Sequence, residues 1–194
     1  MFRWIPFLTY AVITAVTPGP NNILSMSNGS RKGFVGALPF NLGIWVGFTA
    51  VMILCTAFCG ALSALIPRIK LPMLLAGAAY MVYLAWETFR SGPVEETAHT
   101  RDGFVWGLLL QFINPKIYIY CILSMEAYIL PFYGDRPLSL LGFALLLAFI
   151  GFAFTLCWSA FGSLFKRLFS RHRKVVNTVM ALLLLWCAVS LFLA

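Results

Sequence analysis

The sequence predicts an all-α integral membrane protein, a single domain over 1–194 with about six transmembrane helices arranged as two inverted repeats of three. Three observations predict it. Of 194 residues, 61% are hydrophobic and 10% charged, a balance foreign to water-soluble globular domains. Apolar runs of about 20 residues recur between short polar breaks, matching a hydrocarbon layer about 30 Å thick. Two of those runs are interrupted near their middles by prolines and asparagines, once in each half of the chain.

The first run, 4–28, follows Arg3 and resembles a secretory signal, but prolines at the would-be cleavage point and an apolar continuation argue for a retained span. The second, 36–62, carries a G-x-x-x-G pair, Gly43 and Gly47, which lets another helix approach closely within the monomer or across a homodimer. The third, 70–90, ends with Trp86, an expected interface anchor, and Glu87, which can snorkel or pair with Arg90. The polar stretch 91–103 reads as a linker between repeat one (4–90) and repeat two (104–194). The fourth run, 104–130, begins beside Trp106 and holds Glu126 late, a candidate proton-handling group or an outer-interface carboxylate. The fifth, 137–163, follows Tyr133, and the sixth is 175–194. Runs this long and this rich in Leu, Phe and Ala are not the alternating segments of about 10 residues that build a membrane barrel.

Charge reports orientation. If the helices alternate, nine Lys/Arg fall on the odd loops: Arg31 and Lys32, Arg90 and Arg101, then Lys166, Arg167, Arg171, Arg173 and Lys174. Four fall on the other side, Arg3, Arg68, Lys70 and Arg136. Lys and Arg collect on the cytoplasmic face, so both termini are expected in the periplasm. The basic "FKRLFSRHRK" segment then reads as a topology anchor, and no nucleic-acid partner is expected.

Signatures of enzyme chemistry are missing. The five cysteines, Cys55, Cys59, Cys121, Cys157 and Cys187, all lie in apolar runs and read as small buried hydrophobes. Cys55 and Cys59 are spaced i, i+4, but neither His99 nor His172 falls in their span, so neither metal nor cofactor is expected. There is no phosphate-binding glycine loop, no Gly-x-Ser-x-Gly elbow and no His-Glu-x-x-His pair. A membrane-embedded enzyme or a non-transporting assembly factor are the alternatives to a transporter.

The two breaks carry the functional reading. In "TPGPNN", Pro18 and Pro20 lack N–H groups and release the carbonyls of Thr14 and Val16, beside a flexible Gly19 and the amides of Asn21 and Asn22. In "QFINPKIYIY", Pro115 releases the carbonyl of Gln111 and pushes Asn114 toward extended geometry. Lys116 is the one basic residue deep in any run, where a lysine costs about 2.5–3.5 kcal/mol unless the interior is polar. A packing kink would account for one proline. Paired breaks in the first helix of each half instead match discontinuous helices at the midplane of inverted-repeat transporters, whose N-terminal ends attract anions and whose unwound carbonyls attract cations. A zwitterion meets both demands, so Pro18, Gly19, Pro20, Asn21, Asn22, Gln111, Asn114, Pro115 and Lys116 are the candidate substrate-binding or gating residues.

The stretches "TPGPNNILSMSNGSRKGFVGALPFNLGIWVGF", "AGAAYMVYLAWETFR", "LQFINPKIYIY", "LLAFIGFAFTLCWSAFG" and "VNTVMALLLLWCAVSLF" together resemble the lysine exporter and threonine/homoserine exporter (LysE/RhtB) superfamily over nearly the whole chain. Pro-Gly-Pro-Asn in helix one with Asn-Pro-Lys in helix four is the specific combination. The resemblance implies efflux of small neutral amino acids, of the cysteine/O-acetylserine or threonine/homoserine type, across the bacterial inner membrane and driven by protons. It marks Pro18, Gly19, Pro20, Asn21, Asn114, Pro115 and Lys116 as matching motif positions. Glu87, where many relatives carry a basic residue, and Glu126 depart from the pattern.

The nine-to-four asymmetry sets the orientation test. Reporters fused after Ala194 should be active only if they work in the periplasm; a cytoplasm-only signal from intact full-length protein would contradict the orientation.

Overall fold

A computed structural model describes residues 2–90, 103–165 and 172–190, excepting the side chains at 59–70, 73, 87, 173 and 190. The 91–102 part of the linker, basic-loop residues 166–171, the Glu87 and Arg173 side chains and Ala194 lie outside that description. Among the described residues the chain is helical and contains no strand. The elements are α1 (Trp4–Val16), α2 (Pro20–Ala57), α3 (Cys59–Arg90), α4 (Phe104–Ile113), α5 (Pro115–Ser124), a π-helical turn (Met125–Ile129), α6 (Leu130–Tyr133), α7 (Pro137–Leu164) and α8 (Arg173–Ser190).

Proline positions explain several boundaries. α2, α5 and α7 begin on Pro20, Pro115 and Pro137, where the missing N–H would lack an intrahelical partner anyway. Pro131 cannot donate to the carbonyl four residues back, and the helix just before it widens into the π turn, closed by Leu130 N–H on Met125 O.

Two boundaries differ from the sequence expectation. The break expected over 29–35 narrows to Gly33, whose φ of 77° and ψ of 170° kink α2 between two helical stretches. Straight, 38 residues would span about 57 Å, nearly twice the hydrocarbon thickness, so the bend is needed. The turn puts the Phe34 N–H 3.0 Å from Ser163 Oγ of α7, which accepts it. The second break, expected over 63–69, falls instead at Phe58, and α3 runs on through Pro67, Arg68 and Lys70. Charge there marks where the apolar character of the helix lapses, not where the helix stops.

α2 and α7 are each long and apolar enough to cross a bilayer. A third span results if Phe104–Ile113 and Pro115–Tyr133, bent by 63°, count as one; α1 and Lys174–Val189 are shorter apolar helices. Large apolar side chains such as Ile5, Trp86, Leu138 and Leu164 face outward, as they must if lipid is the solvent. Arg90 lies over the Trp86 ring at 5.0 Å and Arg136 over Tyr133 at 5.9 Å, pairing aromatic and cation near helix ends.

α2 is the central element. It packs along α7 and α4, while α3 packs on α8. The G-x-x-x-G pair is used inside the chain: a Cβ on Gly43 would strike Phe104 O, and one on Gly47 would meet Leu108 O at 2.6 Å. Gly107 of α4 answers with its own approach to Phe40 O. Backbones that close gain dispersion contact without side chains between them, the association available where lipid offers no hydrophobic drive. The consequence for the site is positional: α4 is pressed against α2 and holds Gln111 at a fixed depth beside it.

Candidate functional site

The helix stops at Val16, crosses Thr17, Pro18 and Gly19, and restarts at Pro20; it stops again at Ile113 and restarts at Pro115 after Asn114. The two restarts face each other. They line one cavity of about 40 Å³ with Thr14, Ala15, Phe48, Ile117, Tyr120, Gly151 and Thr155. Of the nine candidates, Gly19, Pro20, Asn21, Asn22, Asn114 and Lys116 line it. Gln111 and Pro115 are buried behind it, and Pro18 is exposed beside it.

Each freed carbonyl of the first break has found a donor. Thr14 O accepts from Thr17 Oγ1 at 2.8 Å, and Val16 O accepts from Trp158 Nε1 at 3.1 Å. Asn22 donates both protons of its amide nitrogen, to Ala15 O at 2.8 Å and Thr17 O at 2.9 Å. It clips the end of α1 to the start of α2. Pro18 O accepts from the Cys187 thiol at 3.3 Å, so this cysteine is a hydrogen-bonding partner of the break and not merely a small hydrophobe. Gly19 is extended (φ −168°), a backbone any residue adopts. The missing Cβ leaves room for the Lys116 side chain: a Cβ there would sit 3.1 Å from Lys116 Nζ.

The second break is tied to the first by amides. Asn21 Nδ2 donates to Gln111 Oε1 at 2.8 Å, Gln111 Nε2 returns a bond to Asn21 Oδ1 at 3.2 Å, and Asn114 Nδ2 donates to the same oxygen at 3.2 Å. Gln111 Nε2 also donates to Gly107 O at 2.8 Å. Asn114 caps α5 by accepting from Lys116 N–H at 3.1 Å. Three buried amides thus cross-link the two helix starts.

Lys116 completes the arrangement. Its ammonium donates to Thr17 Oγ1 at 2.9 Å, Thr17 O at 3.0 Å and, weakly, Pro18 O at 3.5 Å. All three are neutral oxygens. The first regular bond of α2 runs from Ile23 N–H to Gly19 O, so the Asn21 and Asn22 N–H groups precede the intrahelical ladder. The α2 start and the Lys116 ammonium, both in the lining of this cavity, carry positive character, while the α5 start is capped by Asn114. Glu126 is exposed on the π turn and is not among the lining residues.

Sequence reasoning missed Thr17 as the ammonium's partner, Trp158 and Cys187 as donors to the break, and the Phe48, Tyr120, Gly151 and Thr155 wall. Thr17 was visible as the polar residue preceding Pro18. Tyr120, four residues after Lys116 in the same quoted stretch, was visible by i, i+4 spacing; Trp158, Gly151, Thr155 and Cys187 come from other helices and Phe48 from far along α2, with no local signal.

Residues 12–194 match a protein family described as LysE type translocator. The chain belongs to that family. Its relatives include the cysteine/O-acetylserine efflux protein of Escherichia coli O157:H7, 39% identical over 188 residues covering 96% of this chain and 95% of that protein. The protein of the same description from Klebsiella pneumoniae subsp. pneumoniae is 41% identical over 184 residues, covering 94% and 93%. No solved structure matches the chain significantly.

The amide cross-link yields a prediction. Asn21→Leu removes one acceptor and one donor from buried partners and should cost about 2–4 kcal/mol. Adding Gln111→Met to it should cost less than the two single losses together, with a coupling of about 1 kcal/mol in a double-mutant cycle of melts in detergent. Strict additivity would mean the two amides do not support each other.

Proposed function

We propose that this chain exports small neutral amino acids across the bacterial inner membrane in exchange for protons, with the meeting point of the two breaks as its substrate site. The carrying observation is Lys116: a half-buried ammonium whose three hydrogen-bond partners among the described residues are neutral, set where two helices begin. A substrate carboxylate supplies the missing negative charge. Its α-ammonium is met by the amide oxygens and by the second lone pairs of break carbonyls such as Ala15 O. The relatives described as cysteine/O-acetylserine efflux proteins support the substrate class.

A volume of about 40 Å³ suits a few waters and is smaller than an amino acid. Loading therefore requires α1 and its break to move relative to α5, breaking the contacts of Lys116 with Thr17. We take this as alternating access in two inverted three-helix repeats, with six spans and both termini periplasmic. Support comes from the matched restarts: each begins with a proline in the first helical position behind an extended cap, Gly19 or Asn114. For the proton, Lys116 is better placed than Glu126, because it lines the cavity and contacts the break that must open.

Proteoliposomes of the purified chain test the reading. Labelled cysteine, O-acetylserine, threonine and homoserine should exchange at least about tenfold faster than lysine or arginine, because a second cationic charge has no carboxylate to meet in the cavity lining. An imposed proton gradient should drive net accumulation, and a protonophore should abolish it. Lysine or arginine exchanging as fast as the neutral set would contradict the assignment.

A further inference from the structure

The features of positive character occupy one end of the cavity, and a different chemistry occupies the other. Tyr120 lies one helical turn beyond Lys116 on α5, about 6 Å along the axis and on the same face. It is 3% exposed, lines the cavity, and its hydroxyl has no hydrogen-bond partner among the described residues. The ring is held on one side by Tyr10, stacked at 6.2 Å between centroids, and lies 6.0 Å from the ring of Phe48. Phe48 in turn sits where Gly151 leaves room, since a Cβ on Gly151 would strike the Phe48 ring. Thr155 donates its proton to Phe152 O at 2.7 Å, so its oxygen faces its surroundings only as an acceptor. The far end is thus an apolar wall of Phe48 and Ile117 with one unsatisfied phenol and one hydroxyl oxygen.

We infer that Tyr120 is the specificity-determining residue of the substrate site, donating a hydrogen bond to a polar atom on the side chain of a small amino acid whose carboxylate is at Lys116. The inference deepens the exporter reading and rests on it. Buried polar groups in membrane proteins find partners, and a tyrosine keeps its hydroxyl at such a place against the cost of leaving it unpaired. Lys116 and Tyr120 are i, i+4 neighbours lining one cavity, so a small amino acid whose carboxylate meets Lys116 brings its side chain toward Tyr120. A hydroxyl, a thiol or an ester carbonyl at that distance accepts from the phenol, whereas a methyl group there leaves it unpaired. A site built to hydrogen-bond a substrate group discriminates sharply against the analogue that lacks it. The ligand class is therefore small neutral amino acids with one polar side-chain atom, not the apolar ones of equal size.

Threonine and valine, equal in shape, are the probes. In proteoliposome counterflow the unmodified chain should exchange threonine at least about tenfold faster than valine, and Tyr120→Phe should bring the ratio to near one. The variant deletes an oxygen with no partner among the described residues, so its melting temperature should not fall. A second measurement is the rise in that temperature on adding each amino acid: larger for threonine in the parent, equal for both in Tyr120→Phe. A parent that exchanges both equally, or a ratio unchanged by the substitution, overturns the role of Tyr120 and leaves the exporter reading intact. A parent that exchanges neither of these nor any other amino acid overturns both.

Discussion

Proline in an apolar interior creates carbonyls that water cannot satisfy, and much of this structure is the set of donors that come to meet them. Pro18 and Pro20 release Thr14 O and Val16 O, which take Thr17 Oγ1 from within the break and Trp158 Nε1 from α7. α8 adds the Cys187 thiol on Pro18 O, and α5 adds the Lys116 ammonium on Thr17 O. One short irregular segment is thereby bonded to three other helices. An unmet carbonyl in hydrocarbon costs several kcal/mol, so the donors to Thr14 O, Val16 O and Pro18 O are conditions for the break to exist, whereas Thr17 O also accepts from Asn22 and does not depend on Lys116.

Packing puts the partners in place. Gly43, Gly47 and Gly107 let α2 and α4 touch backbone to backbone, and Gln111, one turn beyond Gly107, is thereby set against Asn21. The same helix, after its turn at Gly33, carries Phe48 to the far wall of the cavity, opposite Gly151 of α7. Near and far ends of the site are therefore referenced to α2. A rearrangement that keeps α2 with α4 and moves α1 against α5 would open the ammonium end first, because the Lys116–Thr17 contacts cross that boundary.

The sequence was most legible where backbone chemistry is local. Pro-Gly-Pro-Asn-Asn and Asn-Pro-Lys announce their breaks through missing N–H groups, and the paired occurrence pointed to one site. Membrane character followed from composition; of the nine residues named around the breaks, six line one cavity, and Pro18, Gln111 and Pro115 do not. Legibility failed where position depends on distant helices. Pro67, Arg68 and Lys70 looked like a loop, yet α3 runs through them, because a charged helix end that reaches past the apolar layer need not unwind. Gly19 was read as a flexible joint; it is extended, and what it supplies is room for an ammonium from a residue 97 positions away in sequence. Tyr120, Phe48 and Thr155 belong to three different helices, and no spacing rule brings them together.

Lys116 carries the central claim, that the charge is kept for transport and not for packing. The direct measurement is counterflow by Lys116→Ala in vesicles matched for protein amount, beside a melt in detergent. Removing a charge held, among the described residues, by neutral oxygens should leave the melting temperature unchanged or higher while counterflow is lost, and Lys116→Arg should also be poor because a planar fork does not fit between Gly19 and Thr17. Lys116→Ala with full counterflow would contradict the account, returning the lysine to a structural brace for the break.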